Sequence, residues 1–291
     1  ALEAGIPEGV VNVVTGFGHE AGAALSAHPM VDYITFTGSP ATGTAIQQAA
    51  ARNNRGVTME LGGKSPQIVF ADADLDDALP VLVNAIIQNG GQTCSAGSRV
   101  LIEKRIYDKV AAALAERFTV LVAGPHDLDL DLGALINPRQ KARVENYVRA
   151  AEEAGAKILA RGSIHEQAPK MGFYFPPVLF AGVNPGAPLA REEVFGPVLA
   201  LFAFEDEAEA VRLANDTEYG LVAGIWTRDG ARQHRVAKWV RAGQVFVNAY
   251  GAGGGVELPF GGFKKSGHGR EKGFEALFHM SATKTIVFKH G

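Results

Sequence analysis

Sulfur chemistry is nearly absent from this sequence, which has one cysteine, Cys94, among 291 residues. One thiol cannot close an intrachain disulfide or build a cysteine-rich zinc cage, so Cys94 is either a small buried hydrophobe or a reactive nucleophile. The eight histidines show neither H-x-H nor H-E-x-x-H spacing, so no transition-metal site is expected, and His268 and Asp127 receive no role. An excess of either charge is also missing: 28 basic residues face 31 acidic ones, a net charge of -3. Without a basic surplus to grip phosphate backbones, nucleic acid is not an expected partner. No apolar run approaches the roughly 18 to 20 residues that cross a bilayer, and no basic segment leads into an apolar one at the start. The reading is therefore cytoplasmic, with no membrane partner. An initiator methionine and an earlier strand are lacking too, since Ala1-Leu2-Glu3-Ala4 opens inside a helical pattern. The expectation is a nucleotide-binding half that is truncated, and a chain that turns over no aldehyde when expressed alone.

What is present reads as a globular α/β protein. Hydrophobic residues make up 47% and charged residues 20% of the chain, the balance of a folded domain or two. Apolar runs at Val10–Val14, Asp32–Phe36 and Val57–Leu61 alternate with helical patterns at Glu20–Ala27 and Ala41–Arg52. That is βαβαβ, which implies parallel pairing with right-handed crossovers, as in doubly wound sheets. After Gly62-Gly63 the pattern resumes with Gln67–Phe70, a helix at Leu75–Gln88, Arg99–Glu103, helices at Ile106–Thr119 and Pro138–Glu153, and strand–helix pairs up to Val247. Tyr250 to Gly269 is dense in glycine, as in an ordered loop approaching a ligand or backbone closely. Thr283–Lys289 alternates like a final strand.

Three segments carry chemistry. Phe36-Thr37-Gly38-Ser39-Pro40-Ala41-Thr42-Gly43 joins a strand to a helix, where free N–H groups and the helix dipole favour phosphate; a plain capped turn is the alternative. Met59-Glu60-Leu61-Gly62-Gly63-Lys64-Ser65-Pro66 ends an apolar strand in a lone carboxylate, either a base with a raised pKa or a solvated acid paired with Lys64. Asn89-Gly90-Gly91-Gln92-Thr93-Cys94-Ser95-Ala96 sets the cysteine among small residues, leaving room for a carbonyl against the sulfur and N–H groups for an oxyanion.

Taken together, these segments resemble the aldehyde dehydrogenase family. Its E-L-G-G-K-S-P and N-x-G-Q-x-C motifs occur here in order, followed by E-x-F-G-P as Glu193-Val194-Phe195-Gly196-Pro197. The likeness continues through Asn215–Gly224, Val247-Asn248, Pro259-Phe260-Gly261-Gly262-Phe263-Lys264-Lys265-Ser266-Gly267 and Gly269-Arg270-Glu271, covering essentially the whole chain. The resemblance implies an α/β fold: a partial doubly wound, Rossmann-like cofactor domain over 1–62, an α/β catalytic domain over 63–262, and a C-terminal oligomerisation segment over 263–291. It implies NAD(P)-dependent oxidation of an aldehyde to an acid, with Cys94 as nucleophile and Glu60 as general base. Gly16, Gly18, Gly38, Ser39, Gly43 and Leu61 would line the cofactor, Glu193 would hold the nicotinamide ribose, and Phe195 would flank the nicotinamide. Lys64 is a weaker candidate for ordering the site around Glu60. Phe260 would contact substrate, and a homodimer or homotetramer would form through the last strand. The second oxyanion donor of the family is an asparagine upstream of Ala1.

Departures and alternatives narrow the reading. Gly251-Ala252-Gly253-Gly254-Gly255 is richer in glycine than the family loop, which suggests a wide aldehyde mouth, while Glu257 is either a selector for cationic aldehydes or a plain solvent-facing acid. NAD is favoured over NADP by prevalence in the family alone. A CoA-acylating semialdehyde dehydrogenase would also use a cysteine, but that group typically lacks the glutamate base. An inactive protein retaining the fold and a thiol hydrolase complete the alternatives.

Overall fold

A computed structural model describes residues 2–251 and 255–291, so Ala252, Gly253 and Gly254 of the proposed mouth lie outside the described residues. Helix α1 (Ala23–Ala27), strand β1 (Tyr33–Thr37), helix α2 (Pro40–Arg52) and strand β2 (Gly56–Glu60) come first. Then follow β3 (Pro66–Val69), α3 (Leu75–Ile87), β4 (Arg99–Glu103), α4 (Tyr107–Val120), β5 (Val122–Ala123), α5 (Pro138–Glu153), β6 (Lys157–Arg161) and β7 (Ser163–Ile164). The chain continues through β8 (Val178–Ala181), α6 (Pro188–Arg191), β9 (Val198–Phe204), α7 (Glu207–Asn215), β10 (Val222–Trp226), α8 (Gly230–Trp239) and β11 (Gln244–Val247). It closes with β12 (Gly267–His268) and α9 (Gly273–His279).

Local chemistry sets the helix starts. Ser39, Asp74, Asn137, Asp206 and Asp229 each accept a backbone N–H of the first turn of α2, α3, α5, α7 and α8. Pro40 and Pro138 occupy first-turn positions where no N–H is needed.

Strands β11-β10-β3-β4-β9-β8-β6 form one sheet, parallel except for the β6–β8 pair. Both faces are covered, so its strands are continuous apolar runs whose alternate residues enter different cores. From β9, Ala200 and Phe202 pack with Val144, Val148, Leu213 and Val236 of α5, α7 and α8. Leu199 and Leu201 face the other way, onto Leu82, Ile86, Leu114 and Phe118 of α3 and α4. A second sheet holds β1 and β2 in parallel, and β12 returns antiparallel so that Gly267 lies opposite Glu60. Glu60 thus sits at the end of β2, where the chain leaves this second sheet and crosses to β3 of the seven-stranded one.

The α/β, partly doubly wound architecture matches the sequence reading, but two expected strands do not form. Residues 10–14 are irregular and exposed, Val13 at 85%, and residues 281–291 are irregular and exposed as well. Neither segment has a ladder partner among the described residues, and an apolar alternation without a neighbouring strand leaves its N–H and C=O groups to water. The first expected helix also begins differently, as a single π turn at Gly18–Gly22 ahead of α1.

Candidate active site

Glu60 is 2% exposed, and neither carboxylate oxygen has a hydrogen-bond partner among the described residues. A Cβ on Gly261 would lie 2.7 Å from its Oε1, so the chain passes close over the carboxylate only because glycine stands there. Burial pushes its pKa up to about 8, the negative Glu271 adds to the rise, and Arg270 opposes it. This is the environment of a base held ready for a proton rather than of a paired structural acid.

The cysteine loop reaches the same place from the other sheet. Asn89, Gly90 and Gly91 all have positive φ, 53°, 63° and 71°, which turns the chain sharply after α3. The turn is tied across itself by Asn89 Nδ2 donating to the Gln92 carbonyl and Gln92 Nε2 donating to that of Asn89, both 3.0 Å. Gly91 abuts Gly196, and the Cys94 carbonyl abuts Gly63, where a Cβ would approach to 2.2 Å. The nucleophile loop is therefore wedged between the segment after Glu60 and the segment after Glu193. Cys94 is half-buried. Burial pushes its thiol up, as do the charges of Glu193 and Glu60, while the N–H groups of Ser95 and Cys94 work the other way. The structure thus brings Glu60 and Glu193 each within electrostatic reach of Cys94.

Glu193 Oε1 accepts the Gly63 N–H at 2.9 Å, and its Oε2 faces Gly62, where a Cβ would approach to 2.6 Å. Burial raises its pKa. Phe195 sits at φ +60°, an uncommon conformation for an aromatic residue that the surroundings must hold. Those surroundings come from α5: Gln140 Nε2 donates to the Val194 and Phe195 carbonyls at 3.1 and 2.7 Å, and Arg143 Nη2 donates to the Glu193 carbonyl at 2.6 Å.

The other expected cofactor residues divide. Gly16 and Gly18 are exposed ahead of α1. Ser39 caps α2, accepting the Thr42 N–H at 3.3 Å, and the Gly38 N–H donates to the Glu60 carbonyl at 3.0 Å, which ties this turn to the base strand. Gly43 has a packing duty: a Cβ there would meet Leu61 Cδ2 at 2.7 Å, so glycine lets α2 lie against Leu61. Phe260 pairs with Glu271 through two 2.7 Å backbone hydrogen bonds and carries the Lys272 ammonium 5.5 Å from its ring centroid. Lys64 is 1% exposed with its Nζ outside hydrogen-bond reach of the described residues, and burial lowers its pKa to about 7. Its carboxylate neighbours are Glu193 and Glu192, so it bears on Glu193, not on Glu60 as its sequence position suggests.

Sequence reasoning missed several supports. Buried Arg99 donates to the Lys64 carbonyl and to the Leu213 and Ala214 carbonyls at the end of α7, each at 2.9 Å. Buried Ser266 links Gly220 N–H to the Gly62 carbonyl through its hydroxyl, at 2.9 and 2.7 Å. An arginine at the head of the apolar run Val100-Leu101-Ile102 was the one available signal for the first; for Ser266 the only signal was its place in the Pro259–Gly267 segment of the family likeness.

Comparison with known proteins agrees with this assembly. The profile of the aldehyde dehydrogenase family matches residues 1–286. The NADP/NAD-dependent aldehyde dehydrogenase PuuC of Escherichia coli (strain K12) is 45% identical over 289 residues, covering 98% of this chain and 57% of that protein. A crystal structure from Burkholderia cenocepacia, provisionally described as an aldehyde dehydrogenase, superposes with TM-score 0.97 at 63% identity, over 100% of this chain and 61% of that one. Betaine aldehyde dehydrogenase from Staphylococcus aureus in complex with NAD+ superposes with TM-score 0.90 at 37% identity, over 95% and 55%. The chain thus spans less than two thirds of the length of each of these relatives. With the strand-end glutamate, the cysteine loop and the E-x-F-G-P segment assembled in one place, the chain belongs to the aldehyde dehydrogenase family.

Proposed function

We propose that the protein carrying this chain oxidises an aldehyde to a carboxylic acid with NAD, or NADP, through Cys94 and Glu60. The observation that carries the reading is the Glu60 carboxylate, enclosed, without a hydrogen-bond partner among the described residues, and within electrostatic reach of the cysteine sulfur. An unpaired buried carboxylate costs stability, and general-base catalysis is the use that justifies it.

The residues fit a nicotinamide dinucleotide. Glu193 offers a carboxylate whose one oxygen is fixed by Gly63, and Gly62 leaves the other free of any Cβ, which suits acceptance from a ribose diol. Phe195 would flank the ring, and Gly16, Gly18, Gly38, Ser39, Gly43 and Leu61 would run along the remainder of the dinucleotide. When bound, the nicotinamide supplies the hydride acceptor. Cys94 attacks the aldehyde carbon, its thiol proton passing to Glu60; the N–H of Cys94 faces the developing oxyanion. Glu60 gives that proton up to solvent, and in the second half it takes a proton from water, whose oxygen attacks the acyl carbon; the cysteine leaves as thiolate and the acid is released. Phe260 would contact the aldehyde.

We further infer a division into a cofactor unit at 1–62, a catalytic unit at 63–262 and a terminal segment at 263–291, a cytoplasmic location, and a homodimer or homotetramer. Among the described residues no helix is long and apolar enough to cross a membrane. The test is a panel of aldehydes with the full-length protein, following NADH and NADPH absorbance and identifying the acid. Oxidation that ends in the free acid supports the reading. A coenzyme A thioester formed in place of the acid points to the CoA-acylating branch, and hydrolysis without cofactor reduction to a thiol hydrolase.

A further inference from the structure

Beneath the nucleophile loop, β3, β10 and the segment after β11 meet in a buried polar cluster that the proposed reaction does not use. The Tyr250 hydroxyl donates to the Ser95 carbonyl at 2.5 Å, reaching 155 positions back along the chain to the residue next to the nucleophile. Its ring leans on Phe246, with centroids 5.9 Å apart. Gly224 makes the room, since a Cβ there would meet Tyr250 Cδ2 at 3.2 Å and Gln67 Oε1 at 2.1 Å. Gln67 is kept in place by Trp226, whose Nε1 donates to its Oε1 at 2.9 Å. Ser65 and Gln67 flank the phenol oxygen, and burial pushes the Tyr250 pKa above its ordinary range, so the group is a neutral donor at working pH.

We propose that Tyr250 is a positioning residue for Cys94: its hydroxyl fixes the Ser95 carbonyl and so restrains Ser95 with its N–H turned toward the sulfur. Ser95 is gripped on both sides, through the carbonyl of the peptide before it and through its own. The Cys94 carbonyl rests against Gly63, and the Ser95 carbonyl is held by Tyr250. Both N–H groups stabilise the thiolate against burial and two carboxylates. Releasing the Ser95 carbonyl lets Ser95 turn about its own backbone, and the thiolate loses a donor that only a fixed residue can aim. The inference deepens the assignment of Cys94 as nucleophile.

The experiment reads thiol chemistry instead of turnover, so it stands apart from the dehydrogenase assignment. Iodoacetamide labelling of Cys94 in the full-length protein is followed by peptide mass spectrometry between pH 6 and 10, without cofactor or aldehyde. Tyr250→Phe keeps the ring and removes the donor. The expected result is labelling at pH 7.5 slowed roughly 3- to 10-fold with the inflection moved to higher pH, the size of one ordinary lost hydrogen bond. Trp226→Phe removes a hydrogen bond of the same cluster without touching Ser95, and its labelling should match wild type. Wild-type labelling in Tyr250→Phe, or an equal loss in both variants, overturns the proposal. If Tyr250→Phe does not fold, 3-fluorotyrosine incorporation, which sharpens the donor, must speed labelling, and an unchanged rate overturns the proposal equally.

Discussion

At the scale of single residues, the site is a balance between two acids that burial makes reluctant to ionise. Cys94 needs a proton acceptor because its thiol is pushed up, and Glu60, pushed up to about 8, is an acceptor matched to that need. Acid release should therefore rise with pH through about 8, and Glu60→Gln should lose that limb together with on the order of 10²- to 10⁴-fold in steady-state rate, as a pH profile of full-length protein would report. The same group makes a stability prediction. Its folded pKa lies above the unfolded value of 4.5, so the folded form binds the extra proton between 4.5 and about 8 and stability falls as pH rises through that window. Melting temperatures of Glu60→Gln should equal wild type near pH 4.5 and exceed it at pH 9; equality at both would show a carboxylate solvated in the fold.

At the scale of elements, the site depends on close approaches between segments far apart in sequence. Gly63→Ala places a methyl against the Cys94 carbonyl, which approaches to 2.2 Å, so the loop must move. The expected outcome is a drop of several degrees in melting temperature with loss of rapid Cys94 labelling, checked by calorimetry and alkylation. Gln140→Ala frees the Val194 and Phe195 carbonyls. If α5 holds the left-handed Phe195, the variant should weaken NAD binding several-fold in titration while leaving Cys94 labelling unchanged. Such couplings mark the limit of what the chain reveals by itself. The Ser39 cap and the apolar runs of β3 and β4 are local signals, and they were legible. The motif around Cys94 was legible through family likeness, and its positive-φ turn through its glycines. Gln140, Arg143, Arg99 and Tyr250 act across many positions, where no period or cap announces a partner. Val10–Val14 and Thr283–Lys289 have the alternation of strands, but a strand is a relation between two segments and neither finds its second here.

At the scale of the whole molecule, apolar side chains gather at the C-terminal end, with Phe274, Phe278, Val287 and Phe288 all well exposed. A surface of that kind is normally covered. The oligomer proposed above, with Thr283–Lys289 joining a neighbouring subunit's sheet, would cover this surface and pair an alternation that has no ladder partner among the described residues. Light scattering of the full-length protein at micromolar concentration should give a dimer or tetramer that dissociates when this segment is deleted; a stable monomer would contradict it. The central claim, that Cys94 and Glu60 work as one catalytic pair, has its most direct test in pre-steady-state mixing of the full-length protein with NAD and an accepted aldehyde. Glu60→Gln should still show acyl formation on Cys94 by mass spectrometry, slowed because the thiol has lost its proton acceptor but accumulating because water is no longer activated, whereas Cys94→Ala should show no aldehyde-dependent NADH at all. NADH formed by Cys94→Ala above trace level, or free acid released by Glu60→Gln at the wild-type rate, would contradict the account.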